Sequence, residues 1–172
     1  MDLFRHRCFK LIDQFNRDWN LDIKISEIHY WQKECEAQYI GWQTYGHLKI
    51  NPKEDFEIVK QHIYHELGHA LIDQYFIKRK FLDVFIQNSP VNNRNRIYKI
   101  MENVEEPPPW NFVSWYATVN GTEDFCETLS AWVYNDYKTK GKIYFDGWES
   151  SLNQEKLLNK KIKQVEKLLK AA

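Results

Sequence analysis

The chain has no net charge to spend on a polyanion: its 172 residues hold 24 Lys and Arg against 24 Asp and Glu. A sequence so balanced has no net charge with which to recruit nucleic acid or an anionic membrane, and neither is expected as a partner. No apolar run approaches the ~20 residues of a membrane span. Cysteine is scarce. Cys8, Cys35 and Cys126 are odd in number and far apart, which argues against a disulfide framework and against a C-x-x-C zinc site. The opening Met1-Asp2-Leu3-Phe4-Arg5-His6-Arg7 lacks the basic-then-apolar order of a signal peptide, so a reduced, cytoplasmic protein is expected. A mature secreted form that has shed its leader satisfies the same observations. Internal repeats, low-complexity tracts and domain boundaries are also missing, and the expectation is a single domain over 1–172.

What is present in excess is aromatic: seven Trp, ten Tyr and ten Phe, with ordinary apolar content, as in a folded globular protein. Phe4, Cys8, Leu11, Ile12, Phe15 and Trp19 recur at helical spacing and predict a first helix over Leu3–Trp19, stopped at Asn20. Alternation over Leu21–Trp31 predicts a strand with an irregularity near Ser26. Ala37 to Asn51 reads as a hairpin whose arms flank a turn at Tyr45-Gly46, with Gly46 supplying a positive φ. Such an edge can take an extended peptide by strand addition, or be an ordinary sheet edge. Asn51-Pro52-Lys53-Glu54 predicts a capped helix start and a helix running to about Lys78, with Phe56, Val59, Ile63, Leu67, Ala70 and Leu71 inward.

Beyond it lie an apolar cluster at Phe81–Ile86, a break at Asn88-Ser89-Pro90, and a helix expected over Arg94–Val104. Glu105-Glu106-Pro107-Pro108-Pro109 reads as a stiff spacer, or as a polyproline ligand. Asn120-Gly121-Thr122-Glu123 opens another helix, expected to reach Tyr137, with Asn120 or Thr122 as cap. Its core side is Phe125, Leu129, Trp132 and Val133; Glu123 and Glu127 share the other side. Lys138–Trp148 is expected as a loop or short hairpin. A last helix opens at Ser151, with Leu157, Leu158, Ile162, Val165, Leu168 and Leu169 inward and a lysine-rich, solvated face.

The chemistry concentrates in His65-Glu66-Leu67-Gly68-His69, an H-E-x-x-H motif on the second predicted helix. Residues four apart share a helix face, so both imidazoles reach one point and a zinc ion there takes two nitrogens. Glu66 sits roughly 100° around the helix, beside the ion instead of on it, where it can take a proton from a water. A catalytic zinc needs a third protein ligand. The residue six after His69 is Tyr75, so the metzincin third histidine is missing. The other histidines, His6, His29, His47 and His62, all precede the motif, and His62 would crowd one side of the ion. A downstream carboxylate is the natural third ligand: Glu123 first, Asp73 in reserve. Asp73, Asp124 and Glu127 are equal candidates to orient a histidine from behind. Cys126 reads as a small core residue.

These residues, together with Tyr116 seven positions before Glu123 and the run Glu123-Asp124-Phe125-Cys126-Glu127, resemble the gluzincin peptidases of the anthrax lethal factor catalytic domain and Pro-Pro endopeptidase type. The resemblance covers the motif helix, the Glu-bearing helix and, more loosely, the hairpin; the first and last helices lie outside it. It implies an α+β, zincin-like fold, with a small twisted, mostly antiparallel sheet, a hairpin at its edge, and two site helices. It implies zinc held by His65, His69 and Glu123, Glu66 as general base, and Tyr116 stabilising charge on the carbonyl oxygen of a protein or peptide substrate. Two other readings compete: a zinc-binding regulatory module that does not catalyse, and a helical interaction protein in which the motif is accidental.

Overall fold

The computed structural model describes residues 2–32, 37–75, 85, 112–134, 142–145, 148–151 and 156–171. The expected helix over 94–104, the apolar cluster apart from Phe85, and the proline run lie outside the described residues, as does Cys35. The class is α+β, and the chain resolves into two compact units, Met1–Ile77 with Leu169–Ala172, and Lys78–Leu168. Among the described residues no helix is long and apolar enough to cross a membrane.

The first unit opens with helix α1, Leu3–Trp19, capped by the Asp2 carboxylate, which accepts from the Arg5 N–H at 3.0 Å. It ends at Asn20, in the left-handed region at φ 53°, a conformation that Asn tolerates. Its inward residues Cys8, Ile12 and Phe15 are buried. Three strands follow: β1, Ile25–Tyr30; β2, Ala37–Trp42; and β3, Tyr45–Ile50. They form one sheet in the order β1-β3-β2. β1 runs parallel to β3 and β2 antiparallel to it, so this sheet is mixed, where a mostly antiparallel one was expected. The irregularity expected near Ser26 is present as a register shift between Ile25 and Glu27.

The β2–β3 turn falls on Gln43-Thr44, not on Tyr45-Gly46. The reason is packing. Gly46 lies inside β3 opposite Gly41, and the ring of Tyr39 crosses both, occupying the space a Cβ at either would need. Both glycines are required by a close approach rather than by a turn.

Helix α2, Phe56–Gln74, packs on β2, β3 and α1. It starts four residues later than expected. Asn51 spends its side chain on a local turn, accepting from the Lys53 N–H at 3.0 Å, and Asp55 caps instead, accepting from the Glu57 N–H at 2.7 Å. The described helix closes at Gln74, short of the expected end near Lys78; residues 76–78 are outside the described set. Val59, Ile63, Leu67, Ala70 and Leu71 of the expected stripe are buried, and Phe56 is half-buried.

In the second unit a 3-10 turn, Tyr116–Thr118, leads into helix α3, Gly121–Tyr134. Asn120, of the two expected candidates, is the cap: its Oδ1 accepts from the N–H groups of Thr122 and Glu123 at 2.9 and 3.0 Å. Strands β4, Lys142–Phe145, and β5, Trp148–Ser151, make a separate antiparallel hairpin. Helix α4, Lys156–Ala171, carries the lysine-rich sequence.

Candidate metal centre

In the first unit, α2 brings His65 and His69 together. Their Nε2 atoms are 3.2 Å apart, and their rings meet at 62° with centroids 5.1 Å apart. His65 is buried and His69 half-buried. Two nitrogens bound to one tetrahedral zinc at 2.0–2.1 Å stand about 3.3 Å apart, so the pair fits such an ion with almost no movement. The same separation suits a hydrogen bond between one protonated and one bare ring nitrogen. Metal binding needs both nitrogens as acceptors.

Glu66 is buried at 7% exposure, and its Oε2 accepts from the backbone N–H of Tyr39 at 2.6 Å. Tyr39 lies on β2, which among the described residues borders only β3 in its sheet. In the register of this hairpin Tyr39 faces Leu48, a position whose N–H points away from the partner strand. The sheet edge therefore serves the motif helix directly.

The same tyrosine grips α2 two turns on. Its Oη donates to Asp73 at 3.1 Å and accepts from the Gln74 amide at 3.1 Å. Burial, and then the charge of Asp73, push the phenol up to about 12, against the opposing pull of Gln74. Gln74 also pairs with the backbone of Lys24, accepting its N–H at 2.8 Å and donating to its carbonyl at 3.0 Å. Tyr75, at the metzincin histidine's place, accepts the Asp22 N–H on its hydroxyl. The end of α2 is thus fastened to the segment before β1 and to β2.

The remaining histidines have other settings. His62 Nδ1 lies 3.3 Å from the Glu54 carboxylate. His29 lies 3.1 Å from Glu27, and its ring meets that of His47 on the same face of the sheet. His6 is exposed on α1.

In the second unit, Glu123 occupies the first turn of α3 and is 5% exposed. The face expected to be non-core is in fact buried: Glu123 and Glu127 are each 5% exposed, and Asp124 beside Glu123 is, at 0%, as enclosed as Phe125 and Leu129. Ser114 donates to Glu127 Oε2 at 2.6 Å and accepts the Ala117 N–H at 3.0 Å. One hydroxyl therefore joins α3 to the turn that begins with the half-buried Tyr116. Asp124 is met by Lys161 of α4 at 2.6 Å, and both side chains are wholly buried. Burial pushes the Asp124 carboxyl up to about 7 against the attraction of the ammonium, and it pushes Lys161 down. The Lys161 Nζ also lies 3.9 Å from the centre of the Phe112 ring.

All three carboxylates considered for orienting a histidine thus have another partner: Tyr39 for Asp73, Lys161 for Asp124 and Ser114 for Glu127. Sequence reading missed Tyr39, Ser114 and Lys161. Only Lys161 left a signal, standing three after Leu158 and four before Val165, inside the apolar stripe it was assumed to face away from.

No family model matches the chain, and neither a curated protein nor a solved structure does.

Proposed function

We propose that the chain is a zinc-dependent endopeptidase with a zincin-like arrangement of the gluzincin kind. The observation that carries this reading is the 3.2 Å separation of the His65 and His69 Nε2 atoms, which suits one zinc ion, with a buried carboxylate at Glu66 between them in sequence. His65 and His69 supply two nitrogens and Glu123 a carboxylate oxygen. When bound, zinc supplies Lewis acidity and lowers the pKa of a water towards about 7.

The protein's own groups do the proton work. Glu66 takes a proton from the attacking water and passes it to the departing amine, its carboxylate held by the Tyr39 N–H. The Tyr116 phenol donates a hydrogen bond to the carbonyl oxygen as charge builds there. Substrate is a protein or peptide; Cys8 and Cys126, buried and outside any disulfide, suit the reducing cytoplasm as its setting.

Elemental analysis of the purified protein tests the reading. One zinc per chain is expected, lost in His65→Ala and in Glu123→Ala and kept in Glu66→Gln, while Glu66→Gln no longer cleaves an unstructured protein substrate. A wild type without zinc overturns the proposal. Zinc without Glu66-dependent cleavage would make the chain a zinc-binding regulatory module instead.

A further inference from the structure

We infer that Lys161 is a positioning residue that sets both Glu123 and Tyr116. This inference rests on the zinc reading above. The lysine-rich last helix is not merely a solvated cover, because Lys160 and Lys163 are exposed while Lys161, between them, is wholly buried. Its ammonium contacts two segments at once. One contact is the Asp124 carboxylate at 2.6 Å, the residue next to Glu123. The other is the face of Phe112 at 3.9 Å, four residues before Tyr116. Ser114, between Phe112 and Tyr116, then ties that segment back to α3 through Glu127 at 2.6 Å.

The chain of contacts is closed: α4 to Asp124, α3 from Asp124 to Glu127, Glu127 to Ser114, and Phe112 back to Lys161. A charge is costly in such a place, and an apolar pair of similar volume commonly holds a fold at least as well. What an apolar pair cannot supply is direction. The buried ammonium must keep both its one carboxylate and its one ring within contact distance, so it couples the rotation of α3 to the course of residues 112–116. The two residues so fixed, Glu123 and Tyr116, are those the hydrolysis reading needs from this unit.

The test compares wild type, Lys161→Met, and the double variant Lys161→Met/Asp124→Leu. Three readouts are followed: thermal midpoint, zinc affinity by competition with a chromophoric chelator, and amide exchange of metal-free protein over 112–119. The single variant is expected to lose stability, since it leaves Asp124 buried without its cation. The double variant is expected to recover its midpoint and still bind zinc about 10–100-fold more weakly, with faster exchange at Ala117 and Val119. Lys161→Arg, which keeps a cation, should restore part of the affinity. Recovery of stability, zinc affinity and exchange protection together in the double variant would show a structural pair only and overturn the inference. A double variant that stays unfolded overturns it too, because the pair is then needed for the fold itself. A wild type that binds no zinc in the first arm removes the zinc reading and this inference with it, and is recognised before any variant is compared.

Discussion

The backbone N–H of Tyr39 and the carboxylate of Glu66 are joined by a 2.6 Å hydrogen bond, so a strand at the sheet edge holds the one acidic side chain of the H-E-x-x-H motif. A charged acceptor makes this bond stronger than a neutral one, and at 7% exposure little water competes for it. The strand and Glu66 therefore move together. Anything that shifts β2 shifts Glu66.

This bond separates the structural from the chemical part of Glu66. Gln offers a carbonyl oxygen in the same place and Leu offers nothing. Glu66→Gln, which keeps a weaker neutral acceptor, is expected to lose less than about 1 kcal/mol, while peptide cleavage falls by about 10²–10⁴-fold if Glu66 is the general base. Glu66→Leu is expected to lose about 1–3 kcal/mol by leaving a buried N–H without this acceptor. Denaturation curves and cleavage rates on the two variants check both numbers, and equal stability of Gln and Leu would remove the bond from the account.

The glycine pair beneath Tyr39 gives a second prediction. A Cβ at Gly41 or Gly46 would land on the ring, which cannot slide away without releasing Asp73 and Gln74. Gly41→Ala is expected to cost about 1–3 kcal/mol as overpacking. In a Tyr39→Ala background the same change should cost much less, because the clashing partner is gone. A double-mutant cycle measures the difference, and additive costs would show that the ring is not the obstacle.

How far the sequence could be read follows the range of the interactions involved. Period and capping are local, so α1, the bulge near Ser26 and the Asn120 cap were legible. The start of α2 was expected at Asn51 alone; the Asn51 side chain turns instead to the Lys53 N–H, and Asp55, equally suited to cap, takes the role. The turn was misplaced because Gly46 looked like a turn residue, when its use depends on Tyr39 seven positions earlier on the neighbouring strand. Mixed strand order is a long-range property and left no local trace. In the site, the histidine pair was legible from a spacing of four. The Lys161–Asp124 pair, 37 positions apart, was not, since lysine on an amphipathic helix is ordinarily solvated.

Ser114 links Glu127 to the turn that carries Tyr116, and removing its hydroxyl takes a donor from a buried carboxylate and an acceptor from the Ala117 N–H. Ser114→Ala is expected to lower stability by about 1.5–3 kcal/mol, the range for a hydrogen bond to a charged group. If Tyr116 acts on the substrate, kcat should fall more than KM rises, because the phenol's partner is the charged oxygen of the transition state. Steady-state kinetics on Ser114→Ala checks the split. A change confined to KM would move Tyr116 from catalysis to ground-state binding.

Alkaline pH gives the last prediction, from three groups of the first unit, the buried Cys8 and the half-buried Tyr39 and Tyr64. Burial pushes the Cys8 thiol from 9.0 up to about 12 against the pull of Arg7, and the phenols of Tyr39 and Tyr64 from 10.0 up to about 12, where nearby acidic charges add to the effect. Each folded value lies above the unfolded one. Between about pH 9 and 12 the native state therefore holds protons that the unfolded chain has released, and stability falls as pH rises. Below about pH 8 both states are protonated at these groups, and they contribute no slope there. Urea midpoints measured from pH 7 to 11 should be lower above pH 9, and Tyr64→Phe should flatten the fall between 10 and 11. Cys8 should also resist alkylation in the folded protein at pH 8, where a thiol with this pKa is only about one part in 10⁴ thiolate, and react at once in urea. Peptide mapping of the labelled protein reads Cys8 separately from Cys126 and Cys35. Rapid labelling of native Cys8 would mean that α1 opens away from the sheet far more readily than its packing allows.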